Sequence, residues 1–334
     1  MLLLGKGLLM SKAKLASTRD VFARRSTGAP RGTGRLRHGV DNEAVGSAKW
    51  RRAALIAVAI TAFLLPAHAA FAATLELDGT IRTSPFTGSS VSMGDNEGSA
   101  FVPSDNSLWL AGDNKKEIYE VDPTTGALKR KIARTVFNNA PGFGGGPPAG
   151  TERTNDFEAI AYDRTNDVLY VFSGNCCNSS ILPTAFRLTR QSGQFQVESY
   201  QPLPTGADYT GAAWSPSDGK IYVGKGRDVR SFDYASGTAS PSFRVAGVTG
   251  ILGMDFSPDG ADLFVTVNSE KLIRINWSTR KVVSGWTLDL TPFGVRDSRA
   301  VATIGNQFFV SDGYDSRPKG DPLRHAVFVL GVTP

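Results

Sequence analysis

The sequence predicts an all-β fold, a single β-propeller of four-stranded blades, on three observations. Five segments repeat one pattern from Asp95, Asp156, Asp208, Gly250 and Asp297, at spacings of 61, 52, 42 and 47 residues. That is the range of a four-stranded blade, with insertions in the first two. Fixed columns of the repeat carry small or aromatic side chains at strand spacing. No long amphipathic helical pattern occurs after Ala73. Of 334 residues, 20% are charged and 41% hydrophobic, with 36 Gly and 18 Pro, which excludes a coiled coil, an acidic disordered chain and a polytopic membrane protein. Two cysteines exclude a disulfide scaffold.

The chain divides at residue 73. Residues 1–73 hold 12 of the 37 basic residues and 3 of the 31 acidic ones, so the net charge of +6 arises there and the remainder is acidic by three. Nucleic acid is therefore not an expected partner. Ala53 to Leu65 is an apolar run preceded by Lys49, Arg51 and Arg52, and followed by Pro66 and small residues suited to cleavage after Ala69 or Ala73. This is the order of a secretory signal peptide. It predicts an extracytoplasmic protein, periplasmic or secreted, with no stable membrane insertion after cleavage. The run is short for a bilayer span, which needs about 20 residues. Arg51-Arg52 also fits a twin-arginine signal. No cysteine follows for lipid anchoring. The domain division is a basic N-terminal extension with signal peptide over 1–73, and the propeller over 74–334.

Each element of the repeat has a reason. The fourth position is always small (Gly98, Ala159, Gly211, Gly253, Ala300), as an inner strand crowded around a central channel requires. The seventh is Phe101, Tyr162, Trp214, Phe256 and then Thr303, and the next strand carries Trp109, Tyr170, Tyr222, Phe264 and Phe309. Rings of this size fill the space between blades. Turn formers such as Ser215-Pro216-Ser217-Asp218-Gly219 and Ser257-Pro258-Asp259-Gly260 join the two strands. Asp105, Asp167, Asp218 and Asp259 belong to these turns and are read as turn chemistry. Two more strand-like runs follow in each unit, for example Glu117 to Ile132 and Leu272 to Trp286. The last unit has room for three strands, and Leu75 to Arg82 can supply the fourth, closing the ring and removing a sheet edge. Five blades are expected. A sixth would need strands within Thr135 to Asn155, where the run NNAPGFGGGPPAG argues for a loop.

In such a blade the start of the first strand and the turn between the second and third lie at one end of the ring. That end gathers Asp95, Asp156, Asp208 and Asp297 from the first column, and Glu97, Glu158 and Arg299 from the third. The later turns add Asp113, Asn114, Asn175, Asn268 and Asp312. The set is rich in oxygen and almost free of histidine, which suits a hard cation such as Ca²⁺. The metal candidates are Glu97, Glu158, Asp156, Asp208 and Asp297. The ligand-face candidates are Asp95, Asp113, Asn114, Asn175, Cys176, Cys177, Asn268, Arg299 and Asp312. Crowded carboxylates repel, so several should have raised pKa values. An Asp at a strand start can instead cap a turn or bond to a neighbouring blade, and Arg299 either answers these acids or binds an anion.

Cys176 and Cys177 are adjacent. In an exported chain they form a strained vicinal disulfide, remain free thiols, or bridge to another chain. His325 is the only histidine after residue 73. It falls near the start of the last blade's third strand, where it can act as general base beside Asp297 or Asp312; Glu158 is the other catalytic candidate. A surface or satisfied histidine is the plainer reading. No G-x-S-x-G elbow or Walker loop is present, and no nucleotide or redox cofactor is indicated, although thiol–disulfide exchange at Cys176-Cys177 stays as a third reading.

Asp95-Asn96-Glu97-Gly98-Ser99-Ala100 and Asp156-Phe157-Glu158-Ala159-Ile160-Ala161 share a D-x-E-[GA]-x-A pattern. It resembles secreted bacterial propellers of the SdiA-regulated and phytase-like-esterase groups, and the S-P-[DS]-G turns resemble those of lactonase-like propellers. The resemblance implies an extracytoplasmic propeller with a bound cation and a hydrolase activity. Thr210, Leu252 and Arg299 replace the acid in the later repeats, which breaks the symmetry of a metal site. Two functions follow as expectations. One is binding of a small molecule or extracytoplasmic protein at the acidic mouth, with Ca²⁺. The other is metal-assisted hydrolysis of an ester, lactone or phosphoester on the same face.

Overall fold

The computed structural model of the chain describes residues 73–141, 156–175, 182–204, 206–313 and 317–333. Among these, the strands form five antiparallel sheets arranged as a five-bladed propeller. Blade 1 contains β2 (Asn96–Val102), β3 (Ser107–Gly112), β4 (Glu117–Val121) and β5 (Leu128–Ile132). Blade 2 contains β6 (Phe157–Asp163), β7 (Val168–Ser173), β8 (Thr184–Gln191) and β9 (Gln194–Pro202). Blade 3 contains β10 (Gly211–Ser215), β11 (Lys220–Lys225) and β12 (Asp228–Asp233), with two short pieces, β13 (Thr238–Ala239) and β14 (Phe243–Arg244), as its outer strand. Blade 4 contains β15 (Ile251–Phe256), β16 (Asp262–Val267), β17 (Lys271–Asn276) and β18 (Lys281–Asp289).

Blade 5 closes the ring. Its inner strands are β19 (Ser298–Ile304), β20 (Gln307–Asp312) and β21 (Val327–Thr333), and its outer strand is β1 (Thr74–Ile81) from the start of the propeller. β1 pairs antiparallel with β21 from Thr74↔Thr333 to Ile81↔Val327. Closure covers the edge that β21 would otherwise present.

The aromatic columns fill the seams as expected. Trp109 is fully buried, with Phe195 of blade 2 edge-on at 5.6 Å. Phe172 of blade 2 meets Tyr209 and Phe232 of blade 3 at 6.2 and 5.3 Å. Phe264 of blade 4 meets Phe308 of blade 5 at 4.6 Å. Thr303, which breaks the aromatic column, is tied instead by hydrogen bonds. Its backbone N–H and hydroxyl donate to Asp255 Oδ2 of blade 4 at 2.7 and 2.8 Å, and burial pushes that carboxyl upward in pKa.

The first insertion begins with a short helix, α1 (Arg134–Asn138), where a loop was expected. Its Phe137 is fully buried against Phe157 and Phe186, at 4.7 and 5.1 Å. The far-side turns behave as turn chemistry. Asp259 accepts from Ser257 and the Ala261 N–H, and Asp218 accepts from the Tyr222 hydroxyl. The apolar run Ala53 to Leu65, the cleavage position after Ala69, the glycine-rich stretch and the Cys176-Cys177 pair lie outside the described residues. No helix among the described residues is long and apolar enough to cross a membrane.

Candidate functional site

One end of the ring is assembled by a repeated backbone bond. The carbonyl of the first-column residue accepts from the turn after the second strand: Asp113 N to Asp95 O at 3.1 Å, Gly174 N to Asp156 O at 2.7 Å, Asn268 N to Gly250 O at 3.2 Å, and Gly313 N to Asp297 O at 2.8 Å. These bonds hold the strand start and the turn together, so both side-chain arrays face one mouth.

The third column is built by a second repeated device. Strand pairing skips Glu97, Glu158, Leu252 and Arg299, each as a β-bulge between its two neighbours. An unpaired bulge residue is re-aimed away from the sheet's alternation. Glu97, Thr210 and the small fourth-column residues line the axis of the ring. Below the mouth the inner strands nearly touch. A Cβ at Gly98 would lie 2.8 Å from Ala159 Cα, and one at Gly253 would lie 2.5 Å from Ala300 Cα. The axis keeps a volume of about 10 Å³, no more than one water occupies. The mouth is therefore a floored well, and nothing threads the ring.

Blades 1 to 3 supply the acids. Carboxylate oxygens of Asp156, Glu158 and Asp208 all lie within 4.8 Å of one another. Asp156 and Glu158 are 3% and 9% exposed. Asp208 Oδ1 accepts from the Asn175 N–H at 3.2 Å, and its other oxygen lies 3.7 Å from Lys225 Nζ. Asp113 extends the set through a side-chain hydrogen bond to Asp156, and Glu97 bonds to Asp95. A carboxyl can donate to another carboxylate only when it carries a proton. The pKa values agree. Burial, then the hydrogen bond and charge of Asp156, push Glu158 up to about 11. Burial, then Asp156, push Asp113 up to about 8. Glu97 is raised well above its ordinary value by burial and by Asp95, although Arg299 opposes the rise.

Blade 5 supplies the counter-charge. Arg299 donates from Nε to Asp297 Oδ2 at 2.8 Å and from Nη1 to Glu97 Oε2 at 3.4 Å. Burial works against its charge, but Glu97 and Asp297 outweigh burial and raise its pKa. Arg299 thus answers the acids of its own ring. His325 is 2% exposed, with Nδ1 3.9 Å from Asp95 Oδ1 and Nε2 accepting from Arg324 Nε at 3.1 Å. Its carboxylate neighbour across the seam is Asp95.

Other mouth residues serve local structure. Asp312, fully buried, accepts from the N–H groups of Arg296 and Asp297 and from Arg317. Asn268 is exposed and exchanges hydrogen bonds with Thr249. Asn114 packs beside Gly94, whose added Cβ would meet it at 3.1 Å. Thr210 turns its hydroxyl to the Ile251 carbonyl at 2.6 Å, away from ligand duty. Gly174 is a residue that sequence reasoning missed. A Cβ there would collide with Asp208 Oδ1 and approach Glu158 Oε1 to 3.0 Å. The absent side chain is what lets the carboxylates of blades 2 and 3 close on each other. Its only sequence signal is weak: the aligned turn position is glycine again in blades 3 and 5, Gly226 and Gly313, but Asp113 and Asn268 in blades 1 and 4.

No family model matches the chain, and no curated protein matches it. Solved structures do. The crystal structure of Myxococcus xanthus glutaminyl cyclase superposes with a TM-score of 0.53 at 11% identity, covering 78% of this chain and 97% of that one. A luciferin-regenerating enzyme superposes at 0.47 and 14% identity, covering 78% of this chain and 95% of that one. At 11% identity the glutaminyl cyclase match is a likeness of fold alone, and it accords with a propeller.

Proposed function

We propose that the protein is an exported propeller that holds Ca²⁺ at Asp156, Glu158 and Asp208 and binds a small ligand or extracytoplasmic partner at that mouth. One observation carries this reading: three carboxylates from two adjacent blades, two of them buried and the third half-buried, converge within 4.8 Å of one another. Calcium–oxygen distances are about 2.3–2.6 Å, so ligands on opposite sides of one ion stand about 5 Å apart. The donor set, all oxygen, fits a hard cation. Without an ion, the cluster answers its own repulsion by keeping protons, which is the state the raised pKa values describe. With an ion, Asp156, Glu158 and Asp208 would hold it as carboxylates, and Asp113 would orient Asp156. The ion supplies charge and open coordination positions for a ligand oxygen.

The test is thermal unfolding of the chain from Thr74, with Ca²⁺ and with chelator. A ligand that binds only the native state at a hundred times its Kd adds about 2.7 kcal/mol. The expected result is a raised midpoint that Asp208→Asn abolishes. No shift at millimolar Ca²⁺ would return the three acids to a structural role.

A second reading, hydrolysis of an ester, lactone or phosphoester at the same mouth, has one observation in its favour. Glu97 lines the well outside the three-carboxylate set, and burial and Asp95 raise its pKa, which favours it as the group that donates to a leaving oxygen. His325 would act here as a positioning residue for Asp95. Turnover of such substrates, lost in Glu97→Gln with Ca²⁺ binding intact, would select this reading over simple binding.

A further inference from the structure

On the face opposite the acidic mouth, neighbouring blades meet in grooves bounded by the first turns of both blades and by the last turn of the second. Two of these grooves are filled from within by an arginine. Between blades 1 and 2, Arg190 lies over the Phe195 ring at 4.2 Å and forks to Asp105 at 2.8 Å and Asp167 at 2.5 Å. Between blades 3 and 4, Arg280 lies over Trp277 at 3.0 Å and Phe243 at 4.9 Å. Between blades 2 and 3 the corresponding place is an open groove of about 710 Å³; no arginine is among its described lining residues, and Arg187, which hydrogen-bonds to Tyr170 on the blade 2 wall, is itself paired with Glu198.

The recognition chemistry of the sister grooves is nonetheless present. Tyr170, Trp214 and Tyr234 line the walls, with the two tyrosine rings 5.3 Å apart. Asp163 reaches the groove from the first turn of blade 2, and Asp233 from the last turn of blade 3. Both are fixed before any ligand arrives. Asp163 Oδ1 accepts from the N–H groups of Thr165 and Asn166 at 2.9 and 3.1 Å, and Asp233 Oδ1 accepts from the Ala235 N–H at 3.0 Å. Lys220 at the edge leaves the lining negative by one.

We propose that this groove binds an arginine side chain presented by a partner polypeptide, in the place that Arg190 and Arg280 take in the sister grooves. Asp163 Oδ2 and Asp233 Oδ2 already accept from Asn166 and Ser236, but a carboxylate oxygen accepts more than one bond, and aromatic faces beside negative charge attract a guanidinium. A neutral sugar would also stack on the rings and donate hydroxyls to the carboxylates, but it would gain nothing from their charge. The volume exceeds one side chain, so residues flanking the arginine fit as well.

The probe is a short capped peptide with one central arginine, titrated into the full propeller and read by calorimetry and by Trp214 fluorescence. A second peptide replaces arginine with citrulline, which keeps the shape and removes the charge. The arginine peptide should bind about tenfold or more tightly than its citrulline partner, the size of a desolvated cation–π and ion-pair contribution. Asp233→Asn should lose a similar factor. Ala235→Arg, which offers a guanidinium from the turn itself, should block binding while the fold is kept, as checked by an unchanged unfolding midpoint. Equal binding of the two peptides, no binding of either at millimolar concentration, or preference for a neutral sugar would each overturn the proposal.

Discussion

A methyl group at Gly174 would overlap Asp208 Oδ1 and approach Glu158 Oε1 to 3.0 Å. Gly174→Ala should therefore push the carboxylates of blades 2 and 3 apart. Overpacking of this kind costs about 1–3 kcal/mol, and the calcium-dependent rise in midpoint should vanish with it; calorimetry with and without chelator checks both. Glu158→Gln separates cation binding from folding. With no ion, Glu158 already carries a proton near neutral pH, since burial and Asp156 hold its pKa up to about 11. A glutamine copies that neutral form. The chelator-treated variant should unfold at or slightly above the wild-type midpoint, while its response to Ca²⁺ is lost. A large fall in the chelator-treated midpoint would mean that Glu158 is charged in the native state.

At the scale of elements, repetition decided what could be read from the chain. The small fourth column, the aromatic columns and the acid before four of the five inner strands recur because the blades meet the same backbone constraints, and recurrence makes them visible in one sequence. Interactions made once are silent. The Asp255 clamp on Thr303, the burial of Phe137 in α1 and the turning of the Thr210 hydroxyl to Ile251 depend on distances between blades that no spacing encodes. For the same reason Asp312 and Asn268 could be placed at the mouth but not recognised as taken by Arg296, Asp297 and Thr249. Two predictions belong here. Trp109 is fully buried under Arg130 at 5.0 Å and beside Phe195; Trp109→Ala should cost about 3–5 kcal/mol in denaturant unfolding. Deleting Thr74–Ile81 should uncover the β21 edge, and self-association by size-exclusion chromatography should follow. A monomeric, fully stable deletion variant would show that β1 does not protect the ring.

The whole molecule carries a proton balance set by its mouth. Asp113, pushed up to about 8, and Glu158, pushed up to about 11, retain protons that the unfolded chain has released above 3.8 and 4.5. The native state binds more protons across that window, so stability falls as pH rises through it. The chelator-treated protein should accordingly lose midpoint steadily from mildly acidic pH through about 8. Ca²⁺ competes with those protons, so its stabilisation should grow along the same pH axis and oppose the loss. A pH-independent calcium effect would place the ion away from these carboxyls.

The pairing of β1 with β21 also has a consequence in time. Thr74 and Thr333, whose hydroxyls meet at 2.7 Å, are 259 residues apart along the chain. During synthesis β1 emerges ahead of every other strand of the ring, and its partner emerges behind all of them. Four blades can form while β1 waits unpaired. Final registration is then a long-range encounter, of the kind that makes β topologies slow to fold. Until it occurs, the nascent molecule carries two unsatisfied strands of matching register, and a second nascent copy could satisfy either one. The last step of folding is thus also the step most open to exchange between chains, and it should become more error-prone as the concentration of newly made protein rises.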